Sequence, residues 1–269
     1  METNFREELF LQAKKWVLEA GETIRSKIND PLEVHTKSNP NDLVTAMDQS
    51  TEAYFVKNIK NNFPNHKILS EEGYGDELQS LNGIVWIIDP IDGTMNFVHQ
   101  KRNFAISIGI YQDGIGEIGL IYDIMEDILY SAKKDEGAMK NDDPLPMLKD
   151  SLKLEEAILG LNHFWLCENR LVDEKVMQNL VKKVRGTRSY GSAALEFAYV
   201  AEGITDGYLT LSLAPWDFAA GIVIVGEVGG LTTDMEGNPL NLLKRSPVIT
   251  SNPKIHKQVT KDYFLKGRK

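Results

Sequence analysis

Asp89 and Asp92 close an apolar run in the segment Trp86-Ile87-Ile88-Asp89-Pro90-Ile91-Asp92-Gly93-Thr94-Met95-Asn96-Phe97. Carboxylates three residues apart at the end of a buried strand are placed to hold a hard cation through oxygen, as magnesium demands. Strand ends in α/β folds are also where ligand sites collect. Pro90 fixes one φ, and Gly93 lets the backbone approach a ligand closely. If Gly93-Thr94 opens a helix, its free N–H groups face an anion. The competing reading is a capped turn in which Asp and Gly serve turn chemistry alone. The twelve-residue string as a whole favours a functional site.

Those residues need elements to position them. The run at 84–88 is continuous and apolar, as in a strand buried on both faces. Runs at 104–111, 115–122 and 127–132, separated by short turns, read as an antiparallel meander. A short strand is expected at 67–70. Phe5, Leu9, Phe10, Ala13, Trp16, Val17, Ala20 and Ile24 recur at helical spacing and predict an N-terminal helix. The segment 31–42 reads as a loop. A second helix is expected from about Thr45, with Asp48 three residues on. Polar residues 141–146 mark the expected boundary between an N-terminal half, 1–143, and a C-terminal half, 144–269. Beyond it, strands are expected at 156–161, 208–211 and 248–251, and helices at 173–183, 192–202 and 217–228. The sum is a mixed α/β chain, meander-rich first and α/β second.

The segment around Asp89, with Asn96 and Phe97, resembles the signature of the inositol monophosphatase family, within the lithium-sensitive, metal-dependent phosphatases. Three further segments match in order: 42–48, ending in Asp48; Ser70-Glu71-Glu72-Gly73; and Pro215-Trp216-Asp217, followed by Glu227-Val228-Gly229-Gly230. The matches span residues 37–230. The resemblance implies a layered αβαβα sandwich and a magnesium-dependent phosphomonoesterase using two or three Mg²⁺ ions. It places metal on Glu71, Asp89, the Ile91 carbonyl, Asp92 and Asp217, with Asp89 as the bridge. It gives phosphate to Asp92, Gly93 and Thr94, and the attacking water to Thr94, Asp48 and Glu71. It also implies substrate contacts at Lys37, Gly191, Ser192, Ala193 and Thr210. Each carboxylate has a plainer reading: Glu71 with Glu72 as a solvated pair, Asp48 in a capping box with Thr45, and Asp217 at a helix dipole.

The chemistry fits the composition. Of 269 residues, 42% are hydrophobic and 26% charged, as expected of a globular chain, and the formal net charge is -9. That charge argues against nucleic-acid binding. It also requires a bound cation wherever an anionic substrate sits. The polar, acidic N-terminus is not expected to be a signal peptide, no apolar run is long enough for a bilayer, and the lone Cys167 forms no internal disulfide. A cytoplasmic protein without membrane contact is expected, and the resemblance implies a homodimer.

Substrate choice stays open. The Met95-Asn96-Phe97 ending is similar to the inositol phosphatase branch rather than the branch acting on phosphoadenosine phosphate. Family members selective for inositol phosphate tend to carry Glu seven residues before the Trp-Asp aspartate, where this chain has Thr210. NADP and fructose 1,6-bisphosphate are therefore alternative substrates, and Glu196 or Asp206 is an alternative acidic group. Lys182, Lys183, Arg185 and Arg188 would meet a further phosphate or form a solvated face. A non-catalytic metal- and phosphate-binding protein is the alternative of another class.

Overall fold

The computed structural model describes residues 1–31, 34–36, 43–267 and 269. Two sheets organise the chain. The first contains seven strands in sequence order, β3 (Lys67–Ser70), β4 (Ile84–Asp92), β5 (Ala105–Gln112), β6 (Ile115–Asp123), β7 (Ile128–Lys133), β8 (Ala138–Lys140) and β9 (Asp143–Pro144). Only the β3–β4 pair is parallel; the rest form the expected meander. The second sheet has the order β11-β10-β12-β14-β13, from β10 (Ile158–Leu161), β11 (Gly186–Arg188), β12 (Gly207–Leu213), β13 (Leu231–Thr233) and β14 (Ser246–Ser251). It is mixed, because β10 runs parallel to β11 and β12 while β14 runs antiparallel to β12 and β13.

Strand alternation sends side chains into separate cores. On β4, Trp86 and Ile88 pack with α1 (Thr3–Ser26) and α2 (Ala46–Asn62), against Leu9, Trp16, Val17, Phe55 and Ile59. Val85 and Ile87 face the other way, onto α5 (Ala193–Glu202) and α6 (Pro215–Glu227), through Phe197, Phe218 and Ala220. Those two helices also cover Tyr208, Leu213 and Val248 of the second sheet. The outer face of that sheet, including Leu159, Leu209 and Ile249, is closed by α4 (Glu174–Lys183) and α7 (Pro253–Val259). The layers therefore read α, β, α, β, α, the architecture the sequence implied.

Some local expectations change. The segment expected as a loop at 31–42 contains β1 (Val34–Thr36), which pairs antiparallel with β2 (Leu43–Thr45). All three β1 residues are exposed, so no apolar alternation marks the strand. The strands β11 and β13 and the helix α7 are also unforeseen. The two strands have three residues each, too short for periodicity to register.

Candidate active site

The geometry begins with an irregularity in β4. Across to β5, Asp89 pairs with Ser107 and Asp92 with Ala105, so three steps on one strand match two on the other. Residues three apart on a regular strand point to opposite faces. The extra residue of this bulge brings both aspartates to one side. Pro90, which lacks a ladder donor, is tolerated at such a position. Gly93 follows with φ +91, and a Cβ there would lie 3.2 Å from both the Asn103 carbonyl oxygen and the Ser192 Cβ. Glycine thus fits both the left-handed backbone and the close packing. The chain then enters α3 (Thr94–Gln100), whose first N–H groups have no intrahelical acceptor.

Asp217 joins from the start of α6, where its Oδ2 accepts the Ala214 N–H at 2.7 Å. Helix capping and membership of the cluster are compatible, because carboxylate oxygens of Asp89, Asp92 and Asp217 lie within 4.8 Å of one another. Glu71 adds its charge and a hydrogen bond to Asp89. Asp92 is held by the Ser192 hydroxyl and by the Ala194 N–H at 2.8 Å, both on its Oδ2. Beside the cluster, Thr94 Oγ1 lies 3.1 Å from Asp48 Oδ1 and 3.1 Å from the Ile91 carbonyl oxygen. The other oxygen of Asp48 accepts from the Thr45 N–H and hydroxyl, so Asp48 also serves the expected capping box of α2.

An all-oxygen donor set of clustered carboxylates suits magnesium. Electrostatics argues the same way. Burial pushes the Asp89 carboxyl well above its usual range, and Glu71, Asp92 and Asp217 push it further. Burial raises Asp92 to about 6, against the opposing bonds from Ser192 and Ala194. Burial and then the charge of Asp92 raise Asp217 to about 8, with Arg245 opposing. Burial also raises Asp48. A divalent cation would relieve this repulsion.

A pH dependence follows. These acids have folded-state values above the usual 3.8, so the metal-free protein binds more protons than the unfolded chain. Its stability is therefore expected to fall as pH rises through roughly 4 to 8. Magnesium competes with those protons, so the rise in Tm on adding magnesium should be larger at about pH 8 than at about pH 6. Thermal scans at matched free magnesium measure this, and an equal rise at both pH values would exclude these carboxylates as ligands.

Of the residues singled out in the sequence, Asp48, Glu71, Asp89, Ile91, Asp92, Gly93, Thr94, Ser192 and Asp217 come together, and Gly191 and Ala193 flank Ser192. Thr210 is buried on β12. Lys37 lies outside the described residues. Glu196 and Asp206 are otherwise engaged: Glu196 Oε1 accepts the Tyr190 N–H, and Asp206 Oδ2 the Ile158 N–H. Lys182 and Lys183 end α4 in the outer layer, where Lys183 pairs with Glu155 at 2.7 Å. Sequence reasoning missed Glu52, one turn beyond Asp48 on α2. This fully buried carboxylate accepts from the Ser70 hydroxyl at 2.7 Å, the Glu72 N–H at 2.6 Å and the Tyr74 N–H at 2.8 Å. It thereby fixes the turn that presents Glu71. The available signal was its four-residue spacing from Asp48, which places both on one helical face.

A model of the inositol monophosphatase family matches residues 6–263. An inositol-1-monophosphatase of Bacillus subtilis (strain 168) is 56% identical over 252 residues, covering 94% of this chain and 95% of the relative. The structure of inositol monophosphatase II from Staphylococcus aureus MSSA476 is 42% identical, with a TM-score of 0.87, covering 96% of this chain and 95% of that one. SaIMPase-II structures are known bound to inositol monophosphate and to 2'AMP. An IMPase/NADP phosphatase complexed with Mg²⁺ and phosphate is 28% identical, with a TM-score of 0.88, covering 98% and 99% of the two chains.

Proposed function

This chain belongs to the inositol monophosphatase family, and we propose that it hydrolyses inositol 1-phosphate and other small phosphate monoesters, with magnesium, at the Asp89 cluster. The observation that carries this reading is the juxtaposition of that cluster with the Thr94–Asp48 pair. A metal- and phosphate-binding protein without turnover has no need of such a pair.

We assign metal to Glu71, Asp89, the Ile91 carbonyl, Asp92 and Asp217, for two or three ions. Bound there, magnesium would activate water and neutralise charge on the transferring phosphoryl group. Asp48 accepts the Thr94 hydroxyl proton, leaving the Thr94 oxygen to accept from the attacking water and orient it. The N–H groups of Gly93 and Thr94 bind phosphate oxygens. Gly191, Ser192, Ala193 and Thr210 contact the alcohol. Family relationship supports a homodimer, residence in the cytoplasm and inhibition by lithium; sedimentation, fractionation and a lithium titration test these.

The reading is tested by turnover of inositol 1-phosphate, NADP, fructose 1,6-bisphosphate and phosphoadenosine phosphate with magnesium; no turnover of any would overturn it. Breadth is supported by relatives solved with 2'AMP and named for NADP phosphatase activity. Where Glu would offer two charged acceptors to neighbouring hydroxyls, Thr210 offers one neutral hydroxyl. Thr210→Glu is expected to raise the kcat/KM ratio of inositol 1-phosphate over NADP by about tenfold, as for one hydrogen bond to a charged partner. An unchanged ratio would remove Thr210 from substrate choice.

A further inference from the structure

We propose that Glu196 is a positioning residue that fixes the backbone of Tyr190, and through it the Gly191–Ser192 turn that faces substrate and braces Asp92. The substrate side of this inference rests on the function proposed above. Both backbone polar groups of Tyr190 are held by side chains from different elements. Its N–H donates to Glu196 Oε1 at 2.8 Å, from α5. Its carbonyl accepts from Asn96 Nδ2 at 2.7 Å, from α3. Asn96 is itself anchored, donating to the Asn103 carbonyl at 2.8 Å and accepting from Gln100 Nε2 at 3.0 Å.

The chain leaves this clamp through Gly191, at φ +80, where a Cβ would meet Asn96 Nδ2 at 2.9 Å. The next residue, Ser192, caps α5 and donates its hydroxyl to Asp92. Gly191 is exposed, whereas Glu196 is only 2% exposed. Glu196 therefore acts through the substrate turn rather than by touching substrate.

A buried carboxylate with a vacant oxygen is costly to keep. Among the described residues, Oε2 of Glu196 has no hydrogen-bond partner. It occupies the space above Gly160, where a Cβ would come within 2.4 Å of it. A hydrophobic side chain would fill this place more cheaply but leave the Tyr190 N–H without its acceptor. Burial pushes the carboxyl up to about 7, so a neutral side chain with the same acceptor is the natural conservative replacement.

The test compares wild type with Glu196→Ala, Glu196→Gln and Glu196→Asp. Amide hydrogen exchange across residues 188–192 is read without substrate, and KM and kcat are measured for inositol 1-phosphate. Glu196→Ala is expected to speed exchange at Tyr190 by at least about tenfold and to raise KM by about tenfold, with a smaller change in kcat. Glu196→Gln should restore slow exchange and a low KM, because its amide oxygen still accepts. If the alanine variant does not fold, Glu196→Asp, drawn back by one methylene, should show the same pattern at smaller size. Unchanged exchange at Tyr190, or equal losses in the Gln and Ala variants, would overturn the proposal. Because exchange is read without substrate, it decides the positioning role even if no phosphate ester is turned over.

Discussion

Asp89→Asn is expected to abolish magnesium-dependent turnover while leaving the metal-free protein folded. Asp89 interacts with Glu71, Asp92 and Asp217, so in the proposed site its loss would weaken the hold on every ion. A bound metal contributes several kcal/mol to charge stabilisation in a transition state. Its loss corresponds to a fall in kcat on the order of 10³-fold or more. Stability should move the other way. Without metal, removing one charge relieves the repulsion that raises Asp89, Asp92 and Asp217, so the Tm in chelator should stay level or rise. Kinetics over a magnesium titration, with thermal scans in chelator, check both halves. Full activity at saturating magnesium would remove Asp89 from the metal site.

Thr94→Val is expected to lower kcat by about 10²- to 10⁴-fold, the range for a positioned group that handles a proton in the transition state. The substitution keeps the side chain's shape and removes only the hydroxyl between Asp48 and the Ile91 carbonyl. The magnesium concentration for half-activation should therefore change far less than kcat, and Thr94→Ser should recover most of the rate. Asp48 is a poorer probe, because it also caps α2 and its loss would cost stability. A Thr94→Val enzyme with near-normal kcat would show that water is oriented by other groups.

Much of this site was legible because its residues are local. Asp89, Asp92, Gly93 and Thr94 come from one strand end, and the apolar run before them announced the strand. What brings both aspartates to one side was not legible: strand periodicity places residues three apart on opposite faces, and only the pairing with β5 reveals the extra residue. Asp217 was recognised by family pattern, since an acid in the first turn of a helix is common without metal. Glu52 escaped a functional reading, and Glu196 was read as an alternative substrate contact rather than as a support, because each bonds backbone N–H groups of a segment distant in sequence or irregular in shape. Such partners leave no trace in composition or periodicity. The short strand β1 escaped because its three residues are all exposed and show no apolar alternation.

The middle layer also sets an order of events during synthesis. The face of the first sheet that carries Val85, Ile87, Tyr111 and Ile121 is covered by α5 and α6, which are encoded well after it. At about 5–20 residues per second, a ribosome needs roughly 5–20 seconds to pass from the end of β7 to the end of α6. Through that interval the nascent meander shows an uncovered apolar face, a feature that invites aggregation. A chain truncated before α5 would keep that face exposed permanently. Chaperone dependence should therefore concentrate in the first half of the sequence, although the missing partner is supplied by the second.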